Sequence, residues 1–157
     1  VYMNRLTIKQ TQYINRIAEV HEAELERQNT TYKRTKLSVA LRIEMIEHGL
    51  RYSDDTILIQ TQGEQLIGFI WARYDKTLKT ALIEMLYVES THRNQGVATK
   101  LKKEIEAWAR DKGAHTIEST VAYSNQKMQK MNFNMGYDMD KVVMVKNLLV
   151  NDEDKHK

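Results

Sequence analysis

The sequence predicts an α+β fold built on one mixed, mostly antiparallel sheet. Three observations carry that reading. Residues 56–89 break into three strand-like segments joined by short polar turns at Gln62-Gly63-Glu64 and at 75–79, the pattern of an antiparallel meander. A long amphipathic helical stretch and a further strand follow, which makes a parallel crossover. Two helical stretches precede the meander. With no proline and six glycines in 157 residues, each glycine is informative punctuation. The length fits one domain over residues 1–150. The charged tail 151–157 is expected to be disordered, and Met3 is the expected native start.

Residues 2–8 read as a first strand. Thr11 is placed to cap a helix over 12–27, whose apolar stripe is Ile14, Ile17, Ala18, His21 and Leu25. His21 on that stripe reads as a packed histidine rather than a ligand. A polar loop over 28–34 leads to a second helix over 35–48. It is apolar over a broad arc, with Leu37, Leu41, Met45 and His48 on one side and Val39, Ile43 and Ile46 on another. Gly49 is placed to stop it. Strands follow over 56–61, 65–74 and 80–89. A helix over 96–112 turns Val97, Leu101, Ile105 and Trp108 inward and ends at Gly113. Residues 116–121 form a further strand. Asn125 opens a shorter helix to Met135, stopped by Gly136, and residues 137–149 contain a last strand centred on Val142, Val143, Met144 and Val145.

Composition removes several function classes. There is no cysteine, so disulfides, thiolate metal sites and a cysteine nucleophile are excluded; no metal is expected. The 24 basic and 21 acidic residues are interspersed, and the net charge of +3 reads as a solvated surface rather than a nucleic-acid footprint. No apolar run approaches the roughly 20 residues of a membrane span, and a cytoplasmic location is the simplest expectation.

The chemistry-bearing segment is Leu86-Tyr87-Val88 followed by Arg93-Asn94-Gln95-Gly96-Val97-Ala98. It joins the end of a strand to the start of a helix. The first amides of a helix have no internal partner, and the dipole adds about half a positive charge there, so such a junction attracts anions. Gly96 lets a phosphate approach the backbone, Ala98 is nearly as small, and Arg93 and Lys100 add charge. No Gly-Lys-Ser/Thr follows, so this is not a P-loop, and GxGxxG is absent too.

Arg-x-x-Gly-x-Ala after a strand ending Leu-Tyr-Val resembles the acetyl-CoA signature of the GNAT superfamily of N-acetyltransferases. Asn125, Met131 and Met135-Gly136-Tyr137 resemble its closing segment, and the element order matches over about residues 2–149. The resemblance implies a central sheet of six to seven strands, helices on both faces and a splayed acetyl-CoA cleft. It implies that the pyrophosphate of acetyl-CoA lies on the amides of Asn94, Gln95, Gly96, Val97, Ala98 and Thr99. The pantetheine arm would pair with Leu86, Tyr87 and Val88, and Asn125, otherwise a plain N-cap, would touch the cofactor.

The implied reaction is direct acetyl transfer to the primary amine of a small molecule or peptide. Glu84, read as sitting among Leu82, Leu86 and Val88 on one strand face, is the candidate general base, its pKa raised by burial. Its bland alternative is a salt-bridge partner; Glu118 is the weaker candidate. The family's usual acid, a tyrosine seven residues after the Asn, is here Asn132, which cannot deliver a proton. That departure keeps a second reading open, an acetyl-CoA-binding regulatory or sensor protein. A fainter likeness is to aminoglycoside 6'-N-acetyltransferases, weakened by Thr120 where those carry an acidic residue. Glu22, Glu26, Tyr32, Trp71 and Tyr74 are the expected acceptor liners, the glutamates suiting a cationic amine. The resemblance makes a homodimer reasonable.

Overall fold

The structure, a computed structural model, describes residues 2–149, so the charged tail lies outside the described residues. Two compact units share them, one ending at Thr120 and the other beginning at Val121. The first carries β1 (Tyr2–Arg5), α1 (Thr11–Gln28), α2 (Lys36–Tyr52), β2 (Asp55–Gln62), β3 (Gln65–Asp75), β4 (Thr80–Val88), α3 (Val97–Lys112) and β5 (Thr116–Ser119). The strands lie side by side in chain order. β1 to β4 are antiparallel neighbours, and β5 joins β4 in parallel after the α3 crossover.

Period-two alternation in β3 feeds two cores. Phe69 and Trp71 face α1 and α2, packing with Ile14, Ile17, Ala18 and Ile46. Ile70 and Ala72 face α3, packing with Val97, Leu101 and Ile105. These side chains are almost wholly buried. At roughly 1.5–3 kcal/mol per large side chain removed from water, this burial is what seats both helical layers on the sheet.

Two helix ends differ from expectation. Thr11 is the first residue of α1 rather than its cap; Gln10 occupies the cap position, and its side chain accepts from the Thr7 N–H at 2.8 Å. α2 does begin as read, and Thr35 and Ser38 cap each other reciprocally at 3.0 and 2.7 Å. Gly49, however, does not stop α2, which continues to Tyr52. A Cβ there would run into the Asp55 carboxylate, so Gly49 serves a close approach instead. Asp55 is held by Trp71 Nε1 at 3.0 Å and by Arg73 Nε at 2.8 Å.

In the second unit, α4 (Gln126–Asn134) begins at Asn125, whose side chain accepts from the Met128 N–H at 3.1 Å, and Gly136 follows its end in the left-handed region. The expected last strand is absent: residues 137–149 pair with nothing as a strand, and Val142, Val143, Met144 and Val145 are exposed. β-branched propensity supplied that reading, but a strand exists only through a ladder. The sheet therefore has five strands among the described residues, not six to seven.

Candidate functional site

β4 and β5 separate part-way along. Their pairing runs from Thr80–Thr116 to Ile83–Ser119 and stops, while β4 continues to Val88 against β3 alone. The separation coincides with a register shift opposite Trp71 and Ala72 that leaves Glu84 as the extra residue of a β-bulge. Side-chain parity flips there. Ile83, Leu86 and Val88 pack on the α3 side, whereas Met85 and Tyr87 pack on the α1–α2 side. Leu86, Tyr87 and Val88 thus form a strand edge with β3 on one flank and no β5 pairing on the other.

The bulge corrects the expected setting of Glu84. Strict alternation would bury it with Leu82, Leu86 and Val88. The structure instead leaves its side chain 36% exposed, with Oε1 4.0 Å from Arg73 Nη1. Arg73 is itself committed to Asp55.

Beyond β4 the chain makes one 3-10 turn, Ser90–His92, with His92 Nε2 2.9 Å from Gln62 Oε1. Arg93 Nε donates to the Val88 carbonyl at 3.1 Å and ties the loop to the strand end. Asn94 and Gly96 both have positive φ, 62° and 81°, which sets the last peptide units before α3. For Gly96 this conformation is natural; for Asn94 it is one of the few tolerated cases. The first helical bond of α3 runs from the Lys100 N–H to the Gly96 carbonyl at 3.0 Å, so the Val97, Ala98 and Thr99 amides precede it. No acidic residue lies in that first turn. The space where a Gly96 side chain would stand is open to 4 Å. Gly68 brings this helix start against the strand: a Cβ there would lie 3.0 Å from the Tyr87 carbonyl and 3.1 Å from Val97 Cγ1. An open amide cradle beside an unpaired strand edge fits a ligand with a diphosphate at one end and an amide-bearing arm at the other.

A groove of about 750 Å³ opens on the other face of the sheet, between α1, the start of α2 and Tyr87. Its charged lining is Arg16, Glu19, Glu24, Arg27, Arg34 and Lys36. None of the five expected acceptor liners is in it. Glu22 is fully buried, accepting from Tyr32 and from Arg42 at 3.0 Å. Burial pushes its carboxyl up, but hydrogen bonds from Ser38, Tyr32 and Arg42 outweigh this and hold it below the ordinary carboxylate range. Tyr32 is spent on that contact. Glu26 accepts from the Arg34 N–H at 2.9 Å. Trp71 is a core residue, 1% exposed. Tyr74 sits with its hydroxyl near Gly113, at the far end of α3 from Gly96. Helical phase explains the miss: α1 turns Arg16, Glu19, Val20, Ala23, Glu24 and Arg27 to the groove, and Glu22 and Glu26 fall outside that arc. His21 packs on Trp71 with ring centroids 5.8 Å apart; burial, reinforced by the Arg42 charge, lowers its pKa.

Within the second unit, Asn125 is the cap of α4. Asn132 is 7% exposed, with Oδ1 buried and without a hydrogen-bond partner among the described residues, while Phe133 and Tyr123 are exposed. Glu118 lies on β5.

Comparison with known proteins adds to this geometry. The profile of the acetyltransferase (GNAT) family matches residues 17–137. An aminoglycoside N(6')-acetyltransferase type 1 of Acinetobacter genomosp. 13 is 31% identical over 98 residues, 62% of this chain and 66% of that protein. Its counterpart from Acinetobacter haemolyticus is 30% identical over 60% of this chain and 64% of its own length. The chain thus spans just under two thirds of the curated relatives it matches. A solved Staphylococcus aureus structure, described as a GNAT family acetyltransferase, is 41% identical over 76% of this chain and all of its own, with a TM-score of 0.73. A soil metagenomic aminoglycoside acetyltransferase solved with sisomicin shares the fold at a TM-score of 0.71 with 13% identity over 95% of this chain and 96% of that one.

Proposed function

The chain belongs to the acetyltransferase (GNAT) family, and on that premise we propose that it is an N-acetyltransferase moving an acetyl group from acetyl-CoA to a primary amine. The carrying observation is the coincidence of the unpaired β4 edge at Leu86, Tyr87 and Val88 with the open cradle at Gly96. In this reading the amides of Asn94, Gln95, Gly96, Val97, Ala98 and Thr99 receive the diphosphate, Arg93 adds charge beside it, and the β4 edge receives the pantetheine arm. Asn125 contributes a further contact to the cofactor.

Acetyl-CoA supplies an acetyl thioester; the neutral amine nitrogen bonds to its carbonyl carbon as the carbon–sulfur bond breaks, CoA leaves as thiolate, and the nitrogen gives its second proton to solvent as the amide forms. An alkyl ammonium must first lose a proton. Glu84 accepts that proton, directly or through water, and the bulge leaves its carboxylate accessible for the purpose. Asn132 stands where the family's acid stands and donates no proton, so the thiolate leaves unassisted or is protonated by solvent.

Aminoglycosides are the acceptors named for the curated relatives, and small-molecule or peptide amines are the acceptor class here. A cytoplasmic location and a homodimer belong to the same proposal; among the described residues no helix is long and apolar enough to cross a membrane. One observation favours a second reading, an acetyl-CoA sensor with little turnover: the side chain at the acid position is an asparagine with a buried, unsatisfied oxygen. Isothermal titration with acetyl-CoA followed by a CoA-release assay over an amine panel separates the two. Binding with release supports the transferase, binding without release the sensor, and no binding neither.

A further inference from the structure

The groove beside Tyr87 carries a charge pattern that bears on the acceptor, given the transferase reading above. Its carboxylates and their neighbours are mostly committed to arginines. Glu24 accepts from Arg27 Nε at 3.1 Å and also from Gln28 at 3.0 Å. Glu89, the residue after β4, accepts from Arg16 Nη2 at 2.9 Å. Glu26 takes Arg34. Glu22, the other acidic residue of this stretch of α1, is buried and holds Arg42. No cluster of free carboxylates is left to receive several ammonium groups.

What remains is one loosely held carboxylate, Glu19, and on the basic side Lys36 with Arg34, whose guanidinium reaches Glu26 only at 3.9 Å. Glu19 is 56% exposed, and its nearest cation is Arg16 at 4.0 Å. Lys36 is exposed and engages no hydrogen bond or ion pair among the described residues. It is also the first residue of α2, where the helix dipole adds to its charge, and no acidic residue shares that first turn. Glu19 and Lys36 come from different helices of one groove. We infer that the acceptor is a zwitterionic amine, bearing one ammonium and one anionic group, carboxylate or phosphate, rather than a polycation. Glu19 receives the ammonium and Lys36 the anion. With the neighbouring carboxylates already paired to arginines, a second or third ammonium finds no free carboxylate there.

The test compares β-alanine, O-phosphoethanolamine, spermidine and kanamycin as acceptors at saturating acetyl-CoA, by CoA release. The better anionic amine should exceed both polycations in kcat/KM by about tenfold or more, the discrimination one well-placed charge contact supplies. The β-alanine and phosphoethanolamine arms tell carboxylate from phosphate. Lys36→Glu should lower that kcat/KM about tenfold through KM and raise the relative rate with spermidine, while the acetyl-CoA Kd from titration stays as in the parent protein. A polycation as the best acceptor, or a Lys36→Glu protein with the parent preference, overturns the inference and leaves the transferase reading standing. No release with any amine overturns both.

Discussion

Glu84 is the residue on which chemistry and backbone geometry meet most closely. The bulge at the point where β4 and β5 part takes Glu84 out of the alternation and leaves it accessible beside Arg73. If it takes the ammonium proton, Glu84→Gln should slow turnover roughly 10²-fold or more, the typical worth of a positioned base. The deficit should shrink as pH approaches the amine's own pKa, where free base is abundant. A pH–rate profile of the variant measures this, and a deficit constant with pH would assign Glu84 to binding instead. Gly96 offers a second measurement. Gly96→Glu places a carboxylate in the open space of the cradle and forces a side chain to φ 81°. Acetyl-CoA affinity should fall beyond detection by titration while circular dichroism stays near that of the parent. Full affinity in a folded variant would remove the loop from the binding site.

Helices and strands differ in how far they can be read ahead of the fold. α1 and α3 follow from 3.6-residue periodicity, since each has a buried stripe that the pattern must supply; α2 buries Ile46 and Gly49 but leaves Leu37, Leu41 and Met45 exposed, so its broad apolar arc does not all face the sheet. The meander followed from turn chemistry at Gly63 and at 75–79. The bulge at Glu84 has no local signature, because it is set by what β3 and β5 do on either side. The strand expected at 142–145 failed for the converse reason: local propensity was present and a pairing edge was not. The Gly96 loop was legible because helix-start physics is local, whereas the groove beside Tyr87 was not, since it depends on which arc of α1 the sheet leaves uncovered. Gly68 shows how packing between elements sets the site. Gly68→Ala would push against the Tyr87 carbonyl and Val97 Cγ1, at a cost of about 1–3 kcal/mol for overpacking. Urea denaturation should show that loss together with weaker acetyl-CoA binding, because the crowding falls between β4 and the first turn of α3. Lost stability with unchanged affinity would mean that the cradle tolerates that crowding.

The layer of α1 and α2 over the sheet is held by apolar burial and by ionisable groups whose protonation is tied to folding. Glu22 is fully buried, with its carboxyl held low by Ser38, Tyr32 and Arg42. His21, next to it in sequence, is held low mainly by burial and then by the Arg42 charge, which Glu22 and Glu24 only partly offset. Both shifts act in the same direction. A carboxyl whose folded pKa lies below its unfolded one contributes stability that is present above the unfolded value and is lost as pH falls through the folded one. A histidine whose folded pKa is lowered likewise favours the fold when neutral, and below the ordinary histidine value of about 6.5 the unfolded chain binds the extra proton first. Stability should therefore begin to fall as pH drops below about 6.5 and fall further below the ordinary carboxyl range near 4.3. Urea midpoints at pH 7.5, 5.5 and 4 measure both stages. His21→Gln should flatten the first stage and leave the second, because Glu22 keeps its partners. Glu22→Gln should do the reverse, at lower overall stability, since it leaves Arg42 facing a neutral group in a buried setting. A midpoint independent of pH between 7.5 and 5.5 in the parent protein would show that His21 titrates alike in the folded and unfolded chain, and would place the acid sensitivity of this layer on Glu22 alone.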